Sequence, residues 1–348
     1  MQFPHHNIIV IGTSAGGMEA LTRLLAPLPE DLPAAIFVVQ HLGVDSSANV
    51  LVNRLSNLTR LTCVVAEHGT HITNGAVYMA PADHHLLLTR DHILVARGPR
   101  ENQFRPSIDP LFRSASAFYG SQVIGIILTG FMNDGLAGMD CVKRSGGITV
   151  VQDPADAEYP DLPRNVLRHI QADHVLPVND MGNLLLQLVH QQSMDSMTVP
   201  PDIILEAKIA QRIMINSENA DISELDKVGK RVPYSCPECG GALWELTQKN
   251  SSVPRFRCHT GHAYTDETLL QGMNSALEET LWVAMRNLEE RRSMLMNMAN
   301  QNGQNFNNSK WANVQRERAD EMKIHIERIR RILEAATVSD AEHRREAG

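Results

Sequence analysis

The sequence predicts an α/β fold: a doubly wound, mostly parallel sheet with helices on both faces, extended by a small Cys/His-rich module and a long helical hairpin. Three observations carry that expectation. From Asn7 to Gln191, short β-branched runs alternate with helical patterns, and the runs are almost continuously apolar, as strands covered on both faces must be. Between Arg231 and Tyr264 the cysteines cluster in "SCPECGG" and "FRCHTGH". From Leu270 onward, apolar residues recur at threes and fours over two long stretches.

In chain order, the predicted strands are 8–11, 35–39, 61–65, 77–80, 86–88, 93–96, 123–129 and 148–151. The predicted helices are 18–25, 47–56, 109–119, 136–144, 164–168 and 181–191. Runs 86–88 and 93–96, joined by a tight Arg90-Asp91 turn, read as an antiparallel hairpin. Residues 192–230 read as a linker, because Pro200-Pro201 opposes regular structure and "NSENADISELDKVGKR" is polar. A short helix at 203–215 is the exception. The compact Cys/His unit occupies 231–264, the helical hairpin or coiled coil 265–338, and a tail without structure is expected at 339–348.

Composition narrows the function. The chain has 348 residues and a net charge of −8, which argues against a general nucleic-acid binder. Its longest apolar runs are too short to cross a bilayer, so no membrane insertion is expected. The start, "MQFPHHN", lacks the apolar core of a secretory signal, and the expected location is the cytoplasm. Five cysteines in a chain of this length are not a disulfide framework. Cys63 and Cys141 are expected to be buried free thiols.

The first chemical signal is "IIVIGTSAGGMEAL" at 8–21, where a strand breaks into a glycine-flanked turn at Ser14 and a helix follows. That geometry exposes a nucleophilic hydroxyl, and the helix N-terminus favours a developing oxyanion. The turn by itself fits equally well a glycine-rich connection or a phosphate cradle. The lack of a lysine and of a G-x-G-x-x-G pattern lowers the phosphate reading. A reactive serine needs a base, and "VVQHLG" puts His41 just past the second strand. An imidazole needs an orienting carboxylate, and "ILTGFMNDGLAGM" puts Asp134 past a later strand. Asp134 alone would equally suit a helix N-cap. The three share a position beyond parallel strands, the edge where such sheets carry their sites.

Six motifs in order now point to a family. "IGTSAGGMEAL", "VVQHLG", "VYMAPADHHLLL", "RPSIDPLFRSAS", "ILTGFMNDGLAGM" and "VQDPADAEYPDLPRNVL" span residues 7–190. This segment, within domain 1–191, resembles the catalytic domain of chemotaxis protein-glutamate methylesterases of the CheB type. The resemblance implies Ser14 as nucleophile, His41 as general base and acid, and Asp134 as the residue orienting His41. It implies hydrolysis of glutamate γ-methyl esters on a methylated chemoreceptor, with methanol released, and deamidation of receptor glutamines through the same acyl-enzyme. The chemistry implied needs no cofactor. The oxyanion donors are expected at Ala15 or in the loop at Phe131 and Met132, and Arg105 is a candidate for the substrate groove. A non-catalytic adaptor that keeps the fold is the alternative.

Two departures accompany the resemblance. The family usually reads T-G-M-G where this chain has Thr129-Gly130-Phe131-Met132, which touches a candidate oxyanion loop. Many members also carry an N-terminal receiver domain, whereas the first strand here begins at residue 8, so control by phosphorylation in cis is not expected.

Cys236, Cys239, Cys258 and His262 form the second constellation. A Cys-x₂-Cys pair and a Cys-x₃-His pair suit a structural, tetrahedral Zn²⁺. His259 competes as fourth ligand; the three-residue spacer favours His262. With the helices behind it, this module is expected to serve docking to a regulatory partner or self-association, or else to close on itself as a plain hairpin. His68, His71, His84 and His85 are read as structural or surface residues.

Overall fold

The computed structural model describes residues 7–346, except 44–45, 132, 192–197, 217–220, 248–250, 252 and 303–308. Side chains at 216, 302, 309 and 335–346 also lie outside the description. The chain divides into two compact units, Met1–Leu270 and Gln271–Gly348.

The first unit is built on a parallel sheet of seven strands. They are β1 (Ile8–Thr13), β2 (Ala35–Gln40), β3 (Thr62–Val65), β4 (Ala76–Met79), β7 (Val123–Ile127), β8 (Ile148–Gln152) and β9 (His174–Leu176). Their order is β3-β4-β2-β1-β7-β8-β9. β5 (His85–Leu88) and β6 (Ile93–Ala96) form a separate antiparallel hairpin, as expected. Alternation along β1 sorts the core into two layers. Ile9 and Ile11 face α1 (Gly17–Leu25), α2 (Ala48–Ser56) and α6 (Val178–Leu188). Ile8 and Val10 share the opposite layer with α3 (Ile108–Tyr119), α4 (Leu136–Arg144) and α5 (Asp161–His169). The chain reverses its direction across the sheet between β1 and β7, and the crevice beyond the C-terminal ends of such strands is where open α/β sheets bind ligands.

Local expectations needed adjustment around this sheet, and α6 runs three residues earlier than the 181–191 expected. The short strand β9 escaped notice because three residues carry too little pattern. Helix α5 starts at Asp161, earlier than expected, because Pro163 sits in its first turn, where a missing N–H costs nothing.

The larger correction concerns 192–230, read as a linker whose one helix, expected at 203–215, is present as α7 (Pro201–Asn216). The described residues of 192–230 are mostly folded. Helix α7 starts on Pro201 itself, again in a first-turn position. One side of α7 carries buried Met214 against Leu87, Leu94 and Ala96. The other carries Ile209 and Ile213 against Trp244 and Leu246. Helix α8 (Ile222–Val228), capped by Asp221, lies in the stretch read as polar and unstructured. The following module is a four-stranded antiparallel sheet of β10 (Gly229–Ser235), β11 (Ala242–Leu246), β12 (Arg255–Cys258) and β13 (Ala263–Thr265).

A buried ion cluster joins α3, α7 and this sheet. Arg255 makes a bidentate pair with Glu206, both bonds 2.6 Å. Arg257 bonds Glu101 at 2.8 Å and Glu206 at 3.1 Å, and Arg113 bonds Glu101 at 2.7 Å. Burial pushes the Glu206 carboxyl up, but Arg255, Arg113 and Arg257 outweigh it and hold it at about 2. Its folded value thus lies below the ordinary 4.5, so its contribution to stability is complete above that value and is lost as pH falls toward 2. Glu206→Gln, which leaves buried guanidinium charge uncompensated, is expected to cost about 3–5 kcal/mol. Urea denaturation followed by tryptophan fluorescence measures it; a loss below 1 kcal/mol, itself roughly a surface-pair effect, contradicts the reading.

In the second unit, α9 (Asp266–Asn302) continues beyond residue 270, and α10 (Ser309–Glu346) follows. Within that unit Ala299, Ala312, Ala319, Ile326 and Leu333 are buried, and Glu289 lies 3.9 Å from Arg330. The two long helices were expected; the backbone of α10 is helical to Glu346, where a tail without structure was expected.

Candidate active site

Register puts the candidate serine and histidine side by side. Thr13 at the end of β1 pairs with Gln40 at the end of β2. Ser14 and His41 are the next residue on each strand, and paired strands run about 4.8 Å apart. His41 N–H donates to the Thr13 carbonyl at 3.1 Å, and Gln40 Nε2 donates to the Ser14 carbonyl at 2.5 Å. The turn after Ser14 closes through Gly16, whose φ of 73° is left-handed backbone that glycine adopts without strain. Gly130 lies against Ser14: a Cβ there would come within 2.7 Å of Ser14 Cβ. Ser14 N–H donates to the Thr129 carbonyl at 3.0 Å, which ties the turn to the end of β7.

Asp134 is fully buried and accepts a hydrogen bond from His41 Nε2 at 2.8 Å. Because the carboxylate accepts, Nε2 carries the proton and Nδ1 is left as the basic nitrogen. His41 Nδ1 is buried and has no hydrogen-bond partner among the described residues; Ser14 Oγ is not bonded to it in this geometry. Hydrogen bonds of this kind often tighten only when substrate is bound.

Asp134 does not cap its own helix, since Gly135 occupies the N-cap of α4 and no side chain bonds there. It receives instead Ile108 N–H, the first of α3, at 2.6 Å, Ser107 Oγ at 2.8 Å and Asn102 Nδ2 at 3.0 Å. Burial alone would raise its carboxyl; the bond from His41, its charge, and the bonds from Ile108 and Asn102 hold it below the ordinary value. The neighbouring Asp109 accepts from Gly138 N–H at 2.6 Å and from Asn102 Nδ2 at 2.7 Å. Burial first, and the charge of Asp134 second, push Asp109 well above the usual carboxylate range. Asp109 therefore braces α4 and Asn102.

Several neighbours of the site escaped sequence reasoning. Phe104 stacks on the His41 ring, centroids 3.8 Å apart and planes 6° apart, and so limits the ring's rotation and its access to water. Ser107 stands in "RPSIDPLFRSAS", where only Arg105 was singled out, and Asn102 lies three residues before it; nothing in the local pattern reports a partner at 134. Arg105 itself is engaged away from the candidate triad, with Nε on Asp83 at 2.7 Å and Nη1 on the Gly98 carbonyl at 2.7 Å. His85 is a buried structural residue: its Nε2–H donates to the Pro99 carbonyl, its Nδ1 accepts from Ser107 N–H, and burial lowers it to about 4.

Of the candidate oxyanion donors, the N–H groups of Ala15 and Phe131 meet no protein acceptor among the described residues. Met132 lies outside the described residues. Phe131 is exposed and packs edge-on against Tyr159, 4.5 Å between centroids. An open cleft of ≈ 380 Å³ flanks Ser14, with Met18, Leu42 and Leu51 as apolar walls and Arg54 at its edge.

The second constellation also comes together. Donor atoms of Cys236, Cys239, Cys258 and His262 lie within 4.8 Å of one another. Cys239 Sγ and Cys258 Sγ are 3.8 Å apart. Tetrahedral Zn–S bonds of about 2.3 Å require a sulfur separation of roughly 3.8 Å, so the residues fit the ion. His262 turns Nδ1 to Cys258 Sγ, 3.6 Å away, and Nε2 to Glu238 at 3.3 Å, the outer carboxylate that metal-binding histidines commonly hold. His259 is outside the cluster and packs over Gly241.

Comparisons with known proteins identify the family of the first domain. A family model described as CheB methylesterase matches residues 9–185. A Leptospira interrogans protein, provisionally named a protein-glutamate methylesterase/protein-glutamine glutaminase, is 38% identical over 185 residues, covering 53% of this chain and 95% of that one. Protein-glutamate methylesterase/protein-glutamine glutaminase 2 of Methanosarcina mazei is 34% identical over 191 residues, covering 53% of this chain; the chain spans 52% of that relative's length. The crystal structure of the Thermotoga maritima CheB methylesterase catalytic domain superposes with a TM-score of 0.51 at 34% identity, over 53% of this chain and 98% of that one. With its serine turn and its histidine–aspartate pair inside the matched segment, the chain belongs to the CheB methylesterase family.

Proposed function

We propose that the chain is a serine esterase that hydrolyses glutamate γ-methyl esters on chemoreceptor-like proteins, with Ser14, His41 and Asp134 as its triad. The observation that carries this reading is the His41–Asp134 bond formed one residue past the strand pairing that seats Ser14 beside His41. Ser14 Oγ attacks the ester carbonyl as its proton passes to His41 Nδ1, and the imidazolium is stabilised by Asp134 on Nε2. The N–H groups of Ala15 and Phe131 receive the oxyanion. Collapse breaks the C–OMe bond, His41 returns its proton to the methoxide, and methanol leaves. Water then attacks the acyl-enzyme, giving its proton to His41, and the glutamate carboxylate and the Ser14 hydroxyl are released. An amide follows the same path with ammonia as leaving group, so receptor glutamine is a second substrate of the same site. The names carried by the relatives support both activities.

The substrate partner in this reading is a methylated receptor helix. The long helices of Gln271–Gly348 are the proposed contact for a regulator or for self-association. No helix among the described residues is long and apolar enough to cross a membrane, in keeping with action from the cytoplasm. Methanol release from receptor membranes carrying methyl-esterified glutamates tests the proposal, with alkaline hydrolysis of the same membranes as the positive control. Enzyme-dependent release supports it; none from membranes that yield methanol to alkali overturns it.

We propose too that Cys236, Cys239, Cys258 and His262 hold a structural Zn²⁺. With four protein ligands the ion has no open position, and what it supplies is folding energy to a small sheet. Metal analysis is expected to find about one zinc per chain and a strong reduction in Cys236→Ser. Equal zinc in both proteins contradicts the assignment.

A further inference from the structure

The turn 101–104 presents two groups to the candidate triad: Asn102 to Asp134 and Phe104 to His41. It is an unfavourable turn on its own, because Asn102 (φ 51°) and Gln103 (φ 70°) both sit in the left-handed region. Such residues persist only where their surroundings over-determine them. Here those surroundings are the C-terminal module. Asn102 N–H donates to the Ala263 carbonyl at 2.8 Å, and Gln103 Nε2 donates to the Thr268 carbonyl at 3.0 Å. Asn102 Oδ1 accepts from Thr265 N–H at 3.2 Å and from Thr268 Oγ1 at 3.0 Å. Thr268 in turn accepts from Thr265 N–H at 2.8 Å.

This set of partners fixes the Asn102 amide. Its oxygen is held by two donors from the module, so its NH₂ must face the other way. There it meets Asp109 and Asp134, two buried carboxyl groups that share it. A flipped amide would put oxygen against those two carboxyl groups and NH₂ against the Thr265 N–H, opposing three of its four contacts and leaving only the Thr268 hydroxyl able to re-pair.

We infer that Thr268 and Asn102 are positioning residues of the active site: the C-terminal module, through the Thr268–Asn102–Asp134 chain of hydrogen bonds, sets the carboxylate that orients His41. The inference rests on the esterase reading for its catalytic consequence, though the hydrogen-bond chain stands without it. The module is then a part of the catalytic apparatus and not an appended arm. Thr268 lies in the first turn of α9, so the end of this chain farthest from His41 is the start of a 37-residue helix.

The test uses the full-length protein, p-nitrophenyl acetate as probe ester, and the conservative pair Thr268→Val and Thr268→Ser. Valine keeps the side-chain shape and removes the hydroxyl; serine restores it. Thr268→Val is expected to lower kcat about tenfold with KM within about twofold, as for loss of an outer orienting partner, and Thr268→Ser is expected to recover most of it. The second readout is the downfield proton resonance of His41 Nε2–H in its bond to Asp134, which should shift or broaden in Thr268→Val and return in Thr268→Ser. Wild-type kcat and an unchanged resonance in Thr268→Val overturn the inference. So does a loss that follows only the melting temperature and is not rescued by serine. Should the wild-type protein hydrolyse no ester at all, the esterase reading fails, and the His41 resonance alone decides the coupling.

Discussion

Ser14→Ala abolishes ester hydrolysis, with an expected fall in kcat of about 10⁵–10⁶-fold, the scale seen when a serine hydrolase loses its nucleophile. The substitution is clean in physical terms. Alanine keeps the Cβ that lies against Gly130, and among the described residues Ser14 Oγ makes no hydrogen bond that folding would lose. The backbone bonds that shape the turn, Ser14 N–H to Thr129 and Gln40 Nε2 to the Ser14 carbonyl, do not involve the hydroxyl. Melting temperature should therefore be unchanged while methanol release disappears. A rate within tenfold of wild type would assign the nucleophile to another group and would remove the basis of the triad.

Asp134→Asn is expected to lower kcat by about 10⁴-fold, because the cost falls on the tautomer of His41. The carboxylate accepts from Nε2 and so keeps Nδ1 free of a proton, ready for the serine. An asparagine that turns its NH₂ to His41 forces the proton onto Nδ1, and the base is lost. An asparagine that turns its oxygen to His41 must point NH₂ at Ser107 and Asn102, which are donors to Asp134 in the native site. Either way a buried group goes unsatisfied, and a stability loss of about 1–3 kcal/mol accompanies the kinetic one. Steady-state kinetics on the folded variant, with its melting curve beside them, separate the two effects. A kcat within tenfold of wild type in a folded Asp134→Asn protein would show that His41 does not depend on this carboxylate.

Much of the site was legible in sequence because its signals are local. A β-branched run that stops at a glycine or a polar residue marks a strand end, and Ser14, His41 and Asp134 each follow such an end. The spacing of Cys236, Cys239, Cys258 and His262 is local in the same sense, since each pair sits in one tight turn. The long helices announced themselves by periodicity. Where the reading fell short, the local pattern pointed the wrong way: Pro200-Pro201 suggested a break, so the helix expected at 203–215 was started two residues late, whereas Pro201 begins α7, and a polar run concealed α8.

The sequence by itself determined the alternation of strands and helices, the residues that end the central strands and the metal-type cluster, because each is written in the order of neighbouring residues. Only the tertiary structure decided that Nε2 of His41 meets Asp134, that Phe104 covers the imidazole, and that Glu206 lies among Arg113, Arg255 and Arg257. It alone brought Thr268 to Asn102, 166 residues earlier in the chain. The reason is physical: a buried polar group must find a partner, but that obligation does not say which distant residue will meet it.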